Sequence, residues 1–449
     1  MNRYQRDLFY KQSAKQDFLL SKTELKPEMA KIKSSVSKDV KKELLKSFPD
    51  VLFGKQFVEQ ATAQLGAAAN FGAMVIRIDD FKSHNPGPAR SNGAGLHTQV
   101  AKIINRLCKR EKGTWGLLEI DLFGCFFAEK DATSTQNLGH RLKKSFSKNW
   151  DETVSIGIAV HPTIHFNNNQ ILENARKALD HAAFFGPDSM ILFDAVSLNI
   201  SADKLYDQGK VKDAAAEFRT AILLDPTNVN IRNSLGVSYG VLGDLDKALA
   251  EFKIAIGLDP KEVLAVYNVG LVNMLLGNQT QALESLLKAG RLDSEIFEVA
   301  FQTGRIYLDM EQPQKAEKFL KKAVQLRPAS GTAFSCLGEC YAALGMNAKA
   351  VAAYKKAVKQ NSNDAAALSA LGWLFAAEGE SLEIATLFCK QSVDIEPDNG
   401  LFRHRLGRLY LRADRSEDAL IHLKEATRLE FDSTAFIERI ENRRVSKAS

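Results

Sequence analysis

The sequence predicts an α+β domain followed by an all-α solenoid of about seven helix pairs. Two observations carry this. Between residues 49 and 194, short strand-forming runs alternate with longer amphipathic stretches. From residue 195 onward, a pattern of small and aromatic residues returns every 34 positions. At 449 residues the chain also exceeds what one ordinary core supports, which fits more than one domain. The expected division is a basic, mostly helical leader over 1–48, the α+β domain over 49–194, the solenoid over 195–432, and a capping helix with its tail over 433–449.

The leader holds twelve Lys or Arg against six Asp or Glu, a surplus that equals the whole formal charge of +6. The rest of the chain is therefore balanced, and no motif points to nucleic acid. The first residues, MNRYQRDLFYKQSAKQ, lack the apolar run of a secretory signal, and no stretch is long and apolar enough to span a membrane. Five scattered cysteines (108, 125, 336, 340 and 389) argue against a disulfide framework and favour a reducing cytoplasm.

Within 49–194 the expected elements are a strand over 73–79, a helix over about 93–109, strands over 115–119 and 122–128, a helix over 133–148, a strand over 153–160, a helix over 169–185 and a strand over 189–194. Their core order is β-α-β-β-α-β, the split arrangement of ferredoxin-like and palm-type sheets, with helices expected on one face. Inside LLEIDLFGCFF (117–127), Glu119 and Asp121 stand two apart in an otherwise apolar run. In a strand they would share a face. Such a pair can hold a metal, divide acid and base roles, or cap a hairpin turn. His161 and His165 have a ligand-like spacing but lie in a loop with no third ligand nearby, which favours a surface role.

Four local motifs, in order, resemble the GGDEF (diguanylate cyclase) family. FGKQFVEQATAQL (53–65) is similar to its opening helix, VIRIDDFKSHN (75–85) to its first strand, VSIGIAVHP (154–162) to its fourth strand, and ARKALDHAAFFGPDSMILFD (175–194) to its last helix and strand. Residues 119–123, Glu-Ile-Asp-Leu-Phe, then occupy the signature, and only Asp121 and Phe123 match it. The resemblance places Arg77 where the first metal-binding aspartate belongs, Asp79 two positions on, and Asn85 at a guanine contact whose acidic partner has become Leu96. The phosphate-binding Lys and Arg fall at Ala183 and Pro187, and Arg110 lacks the acid of an inhibitory product site.

Condensing GTP needs a divalent cation to neutralise triphosphate charge. A unit charge pair about 4 Å apart at an effective dielectric near 20 is worth roughly 4 kcal/mol. Arginine in place of aspartate turns that attraction into repulsion. Ile120, with its Cβ, resists the backbone conformation that glycine allows beside phosphate. The resemblance thus implies a site without turnover and with no cofactor. It leaves GTP or cyclic di-GMP as a ligand class that a degenerate pocket could retain. Arg77 is expected to fill the old metal position and pair with Asp121, Glu119 or Asp79.

In the solenoid, SLGVSYGVLGDLDKALAEFKIAIGLDP (234–260) and CLGECYAALGMNAKAVAAYKKAVKQNS (336–362) match at Gly236/Gly338, Tyr239/Tyr341, Gly243/Gly345, Ala248/Ala350 and Ala255/Ala357. Seven copies start near 195, 229, 263, 297, 331, 365 and 400, with one inserted residue near Ser381. Small residues let two helices approach, Gly243 and Gly345 suit a left-handed cap, and proline ends the second helix. This pattern resembles the tetratricopeptide repeat, which implies a groove that holds protein partners. Its expected lining is Asn233, Tyr267, Leu271, Phe301, Arg305, Trp373 and Arg408, with packing between repeats as the alternative for each. The residues that would clamp a terminal carboxylate do not recur at the family spacing. Cys336 and Cys340, one turn apart, read as core.

The chain passes from the last strand into the first repeat with no flexible linker, so the α+β domain is expected to cover the first repeat, where Ala202 replaces the usual glycine. At the far end, Phe436, Ile437 and Ile440 should seat a capping helix on the seventh repeat.

Overall fold

The structure, a computed structural model, describes residues 38–65, 68–79, 93–148, 152–164 and 166–448. Most of the leader, Asn85 and His165 lie outside the described residues. The chain forms two compact units, one ending at Asn268 and the other beginning at Val269.

The first unit opens with α1 (Lys38–Ser47), β1 (Leu52–Phe53), α2 (Gly54–Leu65), β2 (Phe71–Ile78) and α3 (Gly93–Glu111). Then come β3 (Thr114–Glu119), β4 (Leu122–Ala128), α4 (Ala132–Ser147), β5 (Val154–His161), α5 (Ile171–Ala182) and β6 (Met190–Leu192). The strands form one sheet in the order β1-β3-β4-β2-β5-β6. β2 lies at its centre, antiparallel to both β4 and β5, while β5 and β6 run parallel. The expected 169–185 helix is α5 flanked by single 3₁₀ turns at Asn168–Gln170 and Ala183–Phe185.

The helices do not lie on one face, as the sequence reading had it; they cover both. Along β4, Leu122 and Phe126 point into one layer with Phe57 and Ala61 of α2 and Ala175, Ala178 and Leu179 of α5. Phe123, Cys125 and Phe127 point into the other with Leu44, Ile104, Leu138 and Leu142. Both faces of the central strands are apolar, so a single helical layer would leave half of that surface in water. Every residue of β2 is buried except Arg77, which is partly buried.

The first layer does not stop at residue 194. Asp194 caps the next helix by accepting a hydrogen bond from the Ser197 amide at 2.8 Å, so helix A of the first repeat begins at Ala195, three residues after β6 ends. Leu198, Ala202, Ala214 and Phe218 join the same apolar cluster as α2 and α5. Two ion pairs close over its rim, Lys177–Glu217 and Lys204–Asp180, with Nζ–Oε1 and Nζ–Oδ2 distances of 2.5 and 2.6 Å. The α+β layers and the first repeat therefore share one core, and the boundary between compact units falls seventy-odd residues beyond the one the sequence suggested.

Seven helix pairs follow. The A helices are Ala195–Asp207, Val229–Val241, Val263–Leu275, Phe297–Asp309, Gly331–Ala343, Ala365–Ala377 and Gly400–Arg412. The B helices are Val211–Leu224, Leu245–Leu258, Gln279–Leu292, Pro313–Leu326, Asn347–Gln360, Leu382–Ile395 and Ser416–Arg428. Close helix approach depends on the small residues: a Cβ on Gly236 would sit 2.5 Å from the Phe252 ring. The A–B turn takes a left-handed residue at the same position in every repeat. It is Gly209, Gly243, Gly277, Gly345 and Gly379 in five, but Glu311 and Asp414, both at φ 56°, in the other two. In the second unit, the helix Thr434–Ala448 follows the last pair, with Ile440 buried and Phe436 and Ile437 packed on the same cluster. Among the described residues, no helix is long and apolar enough to cross a membrane.

The left-handed position yields a stability prediction. A side chain there costs roughly 1 kcal/mol relative to glycine. Glu311→Gly should therefore raise the urea-unfolding free energy by about that amount, while Gly345→Ala should lower it similarly. Loss of stability in Glu311→Gly would contradict the assignment.

Candidate functional site

Two places gather the residues singled out by the sequence. The first is the β3–β4 hairpin against β2. The ladder between β3 and β4 shifts register between Leu117 and Glu119, and Ile120 and Asp121 form the turn. Glu119 and Asp121 therefore do not share a strand face, since Asp121 has left the strand.

Each acid has its own arginine. The Arg77 Nε lies 3.9 Å from Asp121 Oδ2, with Arg77 fixed between Leu122 and Ser155 in the sheet. Arg176 of α5 donates to Glu119 Oε1 at 2.5 Å. Asp121 is 9% exposed, and burial pushes its carboxyl above the usual carboxylate range against the pull of Arg77. His97 of α3, itself buried, contacts the Ile120 carbonyl through Nε2. Asp79 is engaged elsewhere: its Oδ2 accepts from Thr153 Oγ1 at 2.7 Å and from the Asp188 amide at 2.8 Å. Phe123 is fully buried and packs near Trp115.

The expected pairing of Arg77 thus goes to Asp121, and not to Glu119 or Asp79. The sequence reading missed Arg176, which stands 57 residues from its partner with no local signal to connect them. Two guanidinium groups facing two carboxylates leave this corner near neutrality. Among the described residues, no group of three or more His, Cys, Asp or Glu side chains is placed to hold a metal ion.

The second place is the A helices of the repeats. Asn233, Tyr267 and Leu271, expected along the groove, are only 3, 1 and 4% exposed, so they are packing residues. Asn233 Oδ1 accepts from Asn268 Nδ2 at 2.9 Å, which satisfies a polar group that burial would otherwise penalise. Phe301, Arg305, Trp373 and Arg408 are only partly buried. Phe301 stacks on Phe297 at 5.5 Å, with the Arg305 guanidinium 5.6 Å from the Phe301 ring. Arg408 stands 4.5 Å from the Trp373 ring and 4.7 Å from that of Phe436.

Arg405 and Arg412, absent from the sequence reading, extend this group. Arg405 donates to Ser369 Oγ at 3.1 Å and Arg412 to the Ala376 carbonyl at 3.0 Å. The spacing 405, 408, 412 in LFRHRLGRLYLR was the signal that could have found them. Burial pushes the Cys336 and Cys340 thiols up to about 12 and about 11, so both stay protonated at neutral pH, in keeping with a packing role.

Comparison with known families places this helical half. Family models described as TPR or tetratricopeptide repeat match residues 202–243, 234–295 and 307–374. Residues 202–295 and 307–374 carry tetratricopeptide repeats.

Among solved structures, the array is similar to YrrB, described as a TPR protein with an unusual peptide-binding site. The two are 26% identical over 42% of this chain and 96% of that one, with a TM-score of 0.38. PilF of Pseudomonas aeruginosa is 17% identical over 46% of this chain and 95% of its own, with a TM-score of 0.43. A tetratricopeptide repeat protein of Parabacteroides merdae is 16% identical over 55% and 96%, with a TM-score of 0.40. A comparison with curated proteins found no match.

The hairpin corner gives a double-mutant prediction. Because burial already disfavours the Asp121 charge, Asp121→Asn at pH 7 should cost less than about 0.5 kcal/mol or be stabilising. Arg77→Ala should destabilise by roughly 1–3 kcal/mol, since it leaves a buried carboxylate without its counter-charge. Adding Asp121→Asn to Arg77→Ala should recover most of that loss in urea unfolding. Additive costs would show that the two groups do not interact.

Proposed function

We propose that this chain is a non-catalytic adaptor that binds protein partners through the A helices of its tetratricopeptide repeats. Its residues 49–194 are read as a GGDEF-like domain that has lost turnover, in a bacterial cytoplasmic signalling protein. The observation that carries the first part is the repeat array, with partly buried aromatic and arginine side chains along its A helices. Repeats of this kind build their surfaces for protein contact by stacking.

The domain reading draws support from the order of its motifs, which fall on α2, β2, β5 and α5–β6 in sequence. Loss of turnover draws support from Arg77 beside Asp121, where a metal-dependent phosphoryl transfer would need acids facing a cation. The cytoplasm is the compartment favoured by five free cysteines, four of them buried.

The adaptor reading is tested by affinity capture with the full chain as bait, followed by reconstitution with the purified partner. Binding should weaken when Phe301 and Trp373 are both changed to Ala. A partner that binds the double variant undiminished would overturn the groove assignment.

Purified full-length protein incubated with GTP and Mg²⁺ should release no cyclic di-GMP. Arg77→Asp alone should not restore product, because positions 183 and 187 still lack phosphate-binding side chains. Robust product from either protein would overturn the inactive-site reading. Calorimetry with GTP and with cyclic di-GMP should show no saturable heat. Saturable binding of either would make the domain a nucleotide effector.

A further inference from the structure

Three arginines of the seventh repeat form a row along its helix A. Arg405, Arg408 and Arg412 share one side of helix A (Gly400–Arg412), at i, i+3 and i+7. Their partners, Ser369, Trp373 and Ala376, run along helix A of repeat six with the same kind of spacing. The two helices therefore present one continuous strip.

Arg408 is held between the Trp373 and Phe436 rings, and the Arg412 guanidinium also reaches to 5.6 Å from Trp373. In the same unit several other arginines find acids, as in Arg327–Glu298, Arg415–Asp418 and Arg428–Glu425. Among the described residues, neither Arg408 nor Arg412 has a carboxylate within ion-pair distance. Partial burial and the neighbouring Arg412 hold the Arg408 pKa below its usual value.

We infer that Arg408 and Arg412, framed by Trp373 and Phe436 with Arg405 alongside, form a receptor for an acidic segment of a protein partner. This rests on the adaptor reading and names the partner chemistry at one end of the groove. Aromatic rings take up the faces of the Arg408 guanidinium and leave its edge donors for an incoming carboxylate. The strip supplies few cations, enough for two or three acidic side chains. Nucleic acid draws affinity from many phosphates along a broad basic track, and the net charge of this chain beyond residue 48 is zero.

The test uses full-length protein carrying 5-fluorotryptophan, which places a reporter at each of the three tryptophans, 115, 150 and 373. The Trp373 resonance is assigned by its absence in Trp373→Phe. Titration with decaglutamate should shift that resonance saturably, whereas decaglutamine should not. Arg408→Gln with Arg412→Gln should weaken the decaglutamate response at least tenfold, and Arg408→Lys, which keeps the charge without the fork, should weaken it less. An unchanged thermal melt shows that a variant is folded.

A Trp373 resonance that ignores decaglutamate, or an equal response in the double variant, would overturn the receptor. So would tighter binding of decathymidylate than of decaglutamate at that resonance. The readout at Trp373 also keeps binding to the basic residues before 49 from counting as support. A captured partner that binds wild type and double variant equally would overturn this inference while leaving the adaptor reading intact.

Discussion

A tetratricopeptide helix pair has an apolar side that it cannot cover alone, and the ends of the array must find a cover. Each compact unit meets this requirement in its own way. In the first, α5 lies against the opening repeat, so Leu198, Ala202 and Phe218 enter the same core as the β-sheet. In the second, the helix Thr434–Ala448 closes the last pair with Phe436, Ile437 and Ile440. Covering a face with a whole domain explains why the chain runs from β6 into helix A with no linker. Ala202, in place of the usual glycine, is fully buried in that core.

The sheet that supplies this cover carries its own neutralised acidic corner. At the hairpin corner, Arg77 and Arg176 neutralise Asp121 and Glu119. Asp79 serves as a tie between the ends of β2, β5 and the segment before β6. These acids hold structure, and the domain that carries them buries the apolar side of the first repeat.

The repeats were fully legible in the sequence, because the 34-residue period reports helix starts and the left-handed turn position directly. Even Glu311 and Asp414 stand in register with the glycines, although neither residue type signals a turn of that kind alone. The sheet order was half legible. Strand positions followed from β-branched runs, but the second helical layer was missed because buried faces on both sides erase the alternation that marks a single core. At the candidate sites, burial decided what periodicity could not. Asn233, Tyr267 and Leu271 occupy groove-type positions by register and are covered nonetheless. Arg176 depends on a partner 57 residues away, beyond the reach of local pattern, whereas the i, i+3, i+7 spacing of Arg405, Arg408 and Arg412 was there to be read.

The central claim is that partners meet the A helices of the repeats rather than their B helices. Site-specific photocrosslinking in living cells tests it most directly. A benzophenone side chain would be placed at Phe301 or Trp373 on A helices, and at Leu387 or Ile421, which are 53 and 64% exposed on B helices. The account predicts discrete adducts to the same partner from 301 and 373 and none from 387 and 421. Adducts from the B-helix positions alone would contradict it.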